Sequence, residues 1–264
     1  MILSADPASF LALLTMAAYL VAGLPATPER RWPAQALTGA WILHGLVLLT
    51  GVGLLADGGP RLGFAPVLSF TLWLVLLVHG LESRLMPLAP VRRVLAWCAA
   101  AAVLLAWLFP GEVRAVAHSR WAPLHWVLGL SSYGLFGAAV LHALMLDQAD
   151  LQLRRKGPGA ALALGMPLLK LERLTFRFVE AGFAVLTVAL LFGLVSPNWQ
   201  WRDHKTVLSL LGWATFAALI GGRLWRGWRG RQATRWLYAG TLLLLLAYVG
   251  SRFVLQVLLH RGVA

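Results

Sequence analysis

The sequence predicts an all-α, polytopic membrane protein whose bundle contains about eight transmembrane helices. Of its 264 residues, 59% are hydrophobic and 12% are charged, and the mean hydropathy is +0.74. Soluble domains usually carry about 25% charged residues. Apolar runs of about 20 residues, long enough to cross a bilayer, recur along the whole chain. We therefore expect one transmembrane domain over residues 1–264 and no sizeable soluble domain.

The apolar runs define the helices in order, and short breaks delimit them. We predict spans at about 8–24, 37–55, 63–82, 91–109, 123–147, 176–196, 205–223 and 236–259. Turn-forming residues close the first four spans, namely Pro25, Pro28 and Pro33, Asp57 to Pro60, Pro87 and Pro90, and Pro110 with Gly111. Strongly basic segments follow the fifth and seventh spans.

The distribution of basic residues predicts how the spans are oriented. The first, third, fifth and seventh loops hold most of the 23 Lys and Arg residues. Cytoplasmic loops retain such residues because they resist translocation and meet anionic lipid there. We therefore expect these loops in the cytoplasm and both termini at the periplasmic or exterior face. Topology then explains the formal net charge of +13 without nucleic acid as a partner.

Several kinds of chemistry are excluded by what the sequence does not contain. Cys98 is the only cysteine, so an intramolecular disulfide and the Cys-x-x-Cys-His attachment site of a c-type haem are excluded. The chain also has no nucleophile elbow, no zincin motif and no pair of carboxylates arranged for hydrolysis. We therefore predict no catalytic residues.

The histidines differ in their predicted depth. His118, His125, His204 and His260 are expected at the exterior face, and His79 and His142 near the cytoplasmic ends of their spans. Two neutral imidazoles from different helices that converge at one face can hold a haem iron from both sides. His125 and His204 are the candidate pair of iron ligands.

The segments around these two histidines are rich in aromatic and basic side chains. Trp199 and Trp201 precede His204 and could form a platform for a porphyrin, while Arg202 and Lys205 could pair with its propionates. Interfacial anchoring of the protein is the alternative, because Trp and Arg commonly lie at a membrane–water boundary.

Five stretches of the chain together carry a resemblance to a known family. They are His125 to Asp147, Met166 to Arg173, Asp203 to Ser209 with Trp213, Gly227 to Arg231, and Ala247 to Phe253. In this order and spacing they resemble the cytochrome c assembly family of haem-handling, CcsA-like membrane proteins. The resemblance is strongest to the small eight-span, YpjD-type branch of that family. It implies a multi-pass protein of the bacterial inner membrane that binds or handles haem b at its periplasmic face.

The resemblance also implies roles for individual residues. The family presents haem on an exterior tryptophan-rich loop flanked by two exterior histidines, of which the first matches His125. Trp199, Trp201, Asp203 and Lys205 match the loop, whereas His204 stands where the family usually has proline and Thr206 where it has an acidic residue. The second histidine has no clean match, and His204 or His260 could replace it. Haem-lyase activity is not implied, because the larger members hold apocytochrome with extra spans or domains.

Two polar residues inside predicted spans are further candidates. His44 lies near the middle of span two, where a histidine is costly unless it is paired or ligating. The family uses intramembrane histidines at a deeper haem position. The alternative is a neutral imidazole that donates to a backbone carbonyl of a neighbouring helix. Arg252 lies inside span eight, with Gln256 and His260 at helical spacing. It is expected to pair with Asp203 or a propionate, or else with Glu180 or carbonyl groups.

The leading hypothesis is a cytochrome c assembly-type protein with the bilayer, haem b and other maturation or membrane proteins as partners. A second hypothesis is a transport permease or accessory protein in which Arg252, Asp203 and His44 line a substrate path without haem. A third is a scaffold for a membrane complex that binds no ligand.

Overall fold

The computed structural model describes residues 7–25, 31–51, 61–83, 89–113, 122–156, 168–195 and 200–258. The long helices are α1 Pro7–Ala22, α2 Trp32–Gly51, α3 Phe64–Ser83, α4 Ala89–Leu108, α5 Ala122–Lys156, α6 Leu168–Leu194, α7 His204–Arg226 and α8 Gly230–Leu245. The last helix continues as π1 Leu246–Gly250, α9 Ser251–Phe253 and π2 Val254–Leu258. Two short antiparallel strands, β1 Arg61–Leu62 and β2 Glu112–Val113, pair Arg61 with Val113.

The predicted all-α, polytopic membrane architecture is confirmed. Within the described residues, 7 helices are long and apolar enough to cross a membrane, and α1, with 16 residues, is a shorter apolar helix. Each of the eight helices overlaps one predicted span. The orientation of the termini stays a prediction.

The largest differences from the predicted spans lie at the connection between α5 and α6. α5 continues to Lys156 and α6 already begins at Leu168, whereas the predicted fifth span ends at 147 and the sixth begins at 176. The extensions consist largely of good helix formers, and Asp150 and Arg154 form an i, i+4 ion pair at 3.0 Å. With 35 residues, α5 is about 52 Å long, well beyond the thickness of a hydrocarbon core.

The chain forms two compact units. The first unit contains residues 1–118 and 252–264, and the second contains residues 119–251. In the first unit, α1 packs against α2 and α4, and α3 packs against α4. In the second unit, α5 packs against α6 and α8, and α7 packs against α8.

Indole groups and a guanidinium connect the helices of the first unit. The rings of Trp41 and Trp73 stack at 4.9 Å, and each Nε1 donates to the other residue's carbonyl at 3.0 Å. Arg92 on α4 donates to the carbonyl of Ala22 at the end of α1. Trp107 Nε1 donates to Ser9 Oγ at 3.2 Å. Polar groups of neighbouring helices thus satisfy one another inside an apolar unit.

Aromatic rings and glycines form the core of the second unit. Phe136 on α5 and Phe216 on α7 stack at 3.9 Å. A Cβ added to Gly182 would lie 3.0 Å from the Phe136 ring, and one added to Gly240 would lie 2.9 Å from the Phe216 ring. The absence of side chains at these two positions lets α6 and α8 approach the stacked rings.

Candidate functional site

His125 lies in the first turn of α5, where its imidazole is tied to α6. Its Nδ1 atom is 2.8 Å from the carbonyl oxygen of Ala189. Because a carbonyl only accepts hydrogen bonds, Nδ1 must carry the proton. In the neutral ring, Nε2 then keeps its lone pair and can bind a metal ion. The side chain is half-buried, so the ring is partly shielded from solvent.

His204 is the first residue of α7, and its neighbour Asp203 orients it. The Asp203 carboxylate caps the helix by accepting from the backbone N–H of Lys205 at 3.2 Å. The same oxygen lies 3.1 Å from His204 Nδ1. This contact favours a proton on Nδ1 and leaves Nε2 as the possible ligand atom. The side chain of His204 is 59% exposed, so this imidazole is the more accessible of the two.

Contacts with α6 place both histidines at the same end of the second unit. Trp213 Nε1 on α7 donates to Thr187 Oγ1 on α6 at 2.9 Å, close to Ala189. His204 precedes Trp213 by about 13 Å along α7, while Ala189 follows Thr187 by about 3 Å along α6. Since α6 and α7 run in opposite directions, His204 lies about 10 Å closer to this end than His125 does.

Some of the aromatic and basic residues that were predicted to contact haem lie next to His204 in the chain. Trp201 is 65% exposed, Arg202 is exposed, and Lys205 is half-buried. These side chains stand in the segment that leads into α7, at the same end of the unit as His125. Trp199 and His260 lie outside the described residues.

His44 in the first unit is fully buried, and hydrogen bonds occupy both of its ring nitrogens. Its Nδ1 lies 3.0 Å from the Tyr19 hydroxyl, and its Nε2 lies 2.8 Å from the Ser69 hydroxyl. The trio joins α1, α2 and α3. An iron bound to His44 would have to displace one of these hydroxyl groups. Sequence reasoning considered a backbone carbonyl as the alternative partner and missed Tyr19 and Ser69, although a polar group inside an apolar helix generally needs a partner.

Arg252 lies in the short helix α9 of the first unit and is only 4% exposed. π-helical turns precede and follow it. The π turn that follows changes the angular spacing between Arg252 and Gln256 from that of the predicted α-helix. The predicted place of His260 on the same face lies outside the described residues. Asp203, the predicted partner of Arg252, is in contact with Lys205 and His204 in the second unit. The pairing of Arg252 with Asp203 stays a prediction.

Among the described residues, no three His, Cys, Asp or Glu side chains are grouped so that they could hold a bare metal ion. His142 on α5 has its Nδ1 atom 2.7 Å from the carbonyl of Ala138, one turn earlier in the same helix. Its ring lies 5.3 Å from that of Phe178. His125 and His204 stay the predicted pair of iron ligands.

Comparison with known proteins identifies the family. The profile of the family described as Cytochrome C assembly protein matches residues 62–259, most of the chain. The chain belongs to this family. The match includes His125, His204 and Arg252, whereas His44 lies before it.

Relatives of this cytochrome c assembly family member include inner-membrane and biogenesis proteins. The inner membrane protein YpjD of Escherichia coli K12 is 34% identical over 163 residues, which cover 58% of this chain and 60% of the relative. The cytochrome c biogenesis protein CcsA of Prochlorococcus marinus NATL1A is 36% identical over 87 residues, covering 31% of this chain and 27% of the relative. The chain thus spans about 60% of the YpjD length and a smaller part of CcsA.

No solved structure matches the chain. The family resemblance is nevertheless confirmed by the profile and the relatives, which include YpjD and CcsA proteins. With its long apolar helices, this cytochrome c assembly family protein is a multi-pass protein of the inner membrane.

Proposed function

We propose that this protein binds and hands on haem b at the end of the second unit where α5 and α7 begin. The observation that carries the proposal is the 2.8 Å contact between His125 Nδ1 and the Ala189 carbonyl. A histidine that ligates a metal almost always donates its other ring N–H to a carbonyl, carboxylate or water. His125 has this arrangement, and its half-buried ring is suited to an axial ligand.

His204 would be the second histidine that holds the iron of a bound haem. Its contact with Asp203 gives it the carboxylate–histidine pairing that raises the basicity of a ligating nitrogen. Because this side chain is 59% exposed, it would be more accessible than His125 to a partner protein that takes over the haem. A held ligand and an exchangeable ligand together suit a protein that passes haem on.

The remaining parts of the site surround His204. Trp201 and, two residues before it in the sequence, Trp199 would form the surface on which the porphyrin lies, and Arg202 and Lys205 would bind its propionates as charge-assisted donors. Arg252 and His44 belong to the first unit, and their parts as a propionate partner and a deeper ligand stay sequence predictions. Haem, when bound, supplies the iron centre, while the chain's own residues hold and orient it.

The haem is destined for c-type cytochromes, and other cytochrome c maturation proteins are the partners. This part of the proposal follows from the relatives, since CcsA is named as a cytochrome c biogenesis protein. The chain covers only 27% of that relative, so attachment of haem to an apocytochrome is not included.

The test is a reduced-minus-oxidised absorbance spectrum of the detergent-purified protein, expressed with ample haem. A low-spin b-type spectrum is expected in the wild type, to be lost in His125→Ala and changed in His204→Ala. Size-exclusion elution and thermal unfolding show whether each variant is folded. A folded wild-type protein without a Soret band would overturn the proposal.

A further inference from the structure

The turn between α7 and α8 exposes apolar and basic side chains next to one another. Leu224 is 75% exposed and Trp225 is 88% exposed in the last turn of α7. Four exposed arginines follow within this turn and the start of α8, namely Arg226, Arg229, Arg231 and Arg235. An indole this exposed at the end of a membrane-spanning helix is typical of the headgroup region.

The inner side of the turn has a defined structure. Gly227 ends α7 in the left-handed conformation at φ 67°, and the N–H of Trp228 donates to the carbonyl of Gly222 at 3.2 Å. The Trp228 ring folds back over Gly222, which has no side chain to obstruct it, and stacks on Trp236 at 5.2 Å. We call the packed residues Gly222, Trp228 and Trp236 the frame of the turn. Trp225 and the exposed arginines project from this frame.

Arg223 differs from the other arginines because it contacts this frame. Its guanidinium lies 3.4 Å from Glu172 on α6, donates to the Trp228 carbonyl at 3.3 Å, and covers the Phe176 ring at 3.4 Å. Glu172 is thus already paired with a cation. The exposed arginines of the turn have no such partner among the described residues.

The charge around the turn is mostly positive. No Asp or Glu occurs in the sequence after Asp203. On α6, Arg173, Arg177 and Glu180 are exposed. On α5, the Asp147 carboxylate accepts hydrogen bonds from the hydroxyl groups of Thr234 and Tyr238 on α8. An anionic partner would therefore meet several cations and few opposing charges.

We infer that this turn binds the headgroup of an anionic phospholipid. The guanidinium groups pair with the phosphate, while Trp225 and Leu224 enter the interfacial layer beside it. An acidic protein would also satisfy the arginines, but the two exposed apolar side chains at the end of a membrane helix favour a lipid. The inference is independent of haem binding.

The experiment is a lipid titration of the purified full-length protein in a neutral detergent, followed by the thermal unfolding midpoint. Dioleoylphosphatidylglycerol should raise the midpoint at concentrations at which dioleoylphosphatidylcholine does not, and high salt should weaken the effect. In the triple variant R226Q/R229Q/R235Q, the half-saturating concentration of phosphatidylglycerol should rise by about tenfold. Inorganic phosphate at the same concentrations should have no effect.

Two matched variants separate the lipid site from general charge and from misfolding. R226K/R229K/R235K keeps the charges and should keep most of the preference for phosphatidylglycerol. Arg93→Gln removes an exposed arginine on α4 and should leave the titration unchanged. Equal responses to the two lipids, as expected if the partner is an acidic protein, would overturn the inference. A loss in Arg93→Gln as large as in R226Q/R229Q/R235Q, or stabilisation by phosphate alone, would also overturn it.

Discussion

The Nδ1 atom of His125 lies 2.8 Å from the carbonyl oxygen of Ala189, and this contact joins the first turn of α5 to α6. It determines which ring nitrogen carries the proton and where the other nitrogen is held. An axial ligand needs this kind of positioning, because a ring that rotates freely binds a metal less tightly. The proposed haem site therefore depends on α6 as much as on the two histidines.

Replacing His125 by alanine should remove the haem spectrum without unfolding the protein. The variant leaves a space where the imidazole stood, so added imidazole should restore a low-spin spectrum. The measurement is haem content and absorbance with and without imidazole. His142→Asn is the control, since this buried residue lies in the same helix and should not change haem content. Failure of imidazole to rescue a folded variant would argue against ligation by His125.

Two substitutions of Asp203 should distinguish its role as a helix cap from its role in orienting His204. Asp203→Asn keeps a good N-cap, so stability should change little, but it removes the negative charge beside His204. Haem affinity should fall by about tenfold, the usual effect of losing a partner of a ligating histidine. Asp203→Ala should show the same loss and also cost about 1 kcal/mol of stability. Haem titration and thermal unfolding of both variants test this, and an unchanged affinity in Asp203→Asn would contradict it.

The sequence predicts the helices well because membrane spans have a strong signature in a single chain. Among the described residues, apolar length and turn residues located the eight long helices, and the largest errors fell at the polar ends of α5 and α6. There, hydropathy marks the edge of the apolar region, whereas helical hydrogen bonding continues through charged residues such as Arg154. The end of an apolar region and the end of a helix therefore need not fall at the same residue.

The candidate site could be predicted only in part. Residue type identified His125 and His204, because few side chains can ligate iron. The partners of these histidines could not be predicted in the same way. The acceptor for His125 is the backbone carbonyl of Ala189, which carries no signal in residue type, and its approach depends on the register between α5 and α6. The hydroxyl partners of His44 lie 25 residues away on either side and require the packing of three helices.

Tyr19→Phe should destabilise the first unit without affecting haem at the proposed site. It leaves the buried Nδ1 of His44 without its hydroxyl partner, which costs about 1–3 kcal/mol. The triple variant Tyr19→Phe/His44→Leu/Ser69→Ala should cost less than the sum of the single changes, because no polar group is left unsatisfied. Thermal unfolding and haem content check both expectations. Loss of haem in Tyr19→Phe would indicate instead that His44 takes part in binding.

Gly222→Ala should destabilise the turn between α7 and α8, whereas Gly129→Ala should not destabilise α5. A Cβ at Gly222 would overlap the Trp228 ring, so the ring must leave its place over the helix. Overpacking of this kind costs about 1–3 kcal/mol, more than the helix propensity gained by alanine. At Gly129 nothing lies within 4 Å of the added atom, so only the gain of up to about 1 kcal/mol remains. Thermal unfolding of the two variants should therefore shift in opposite directions. Equal shifts would mean that Trp228 does not pack on Gly222, and the frame of the turn proposed for lipid binding would then be lost.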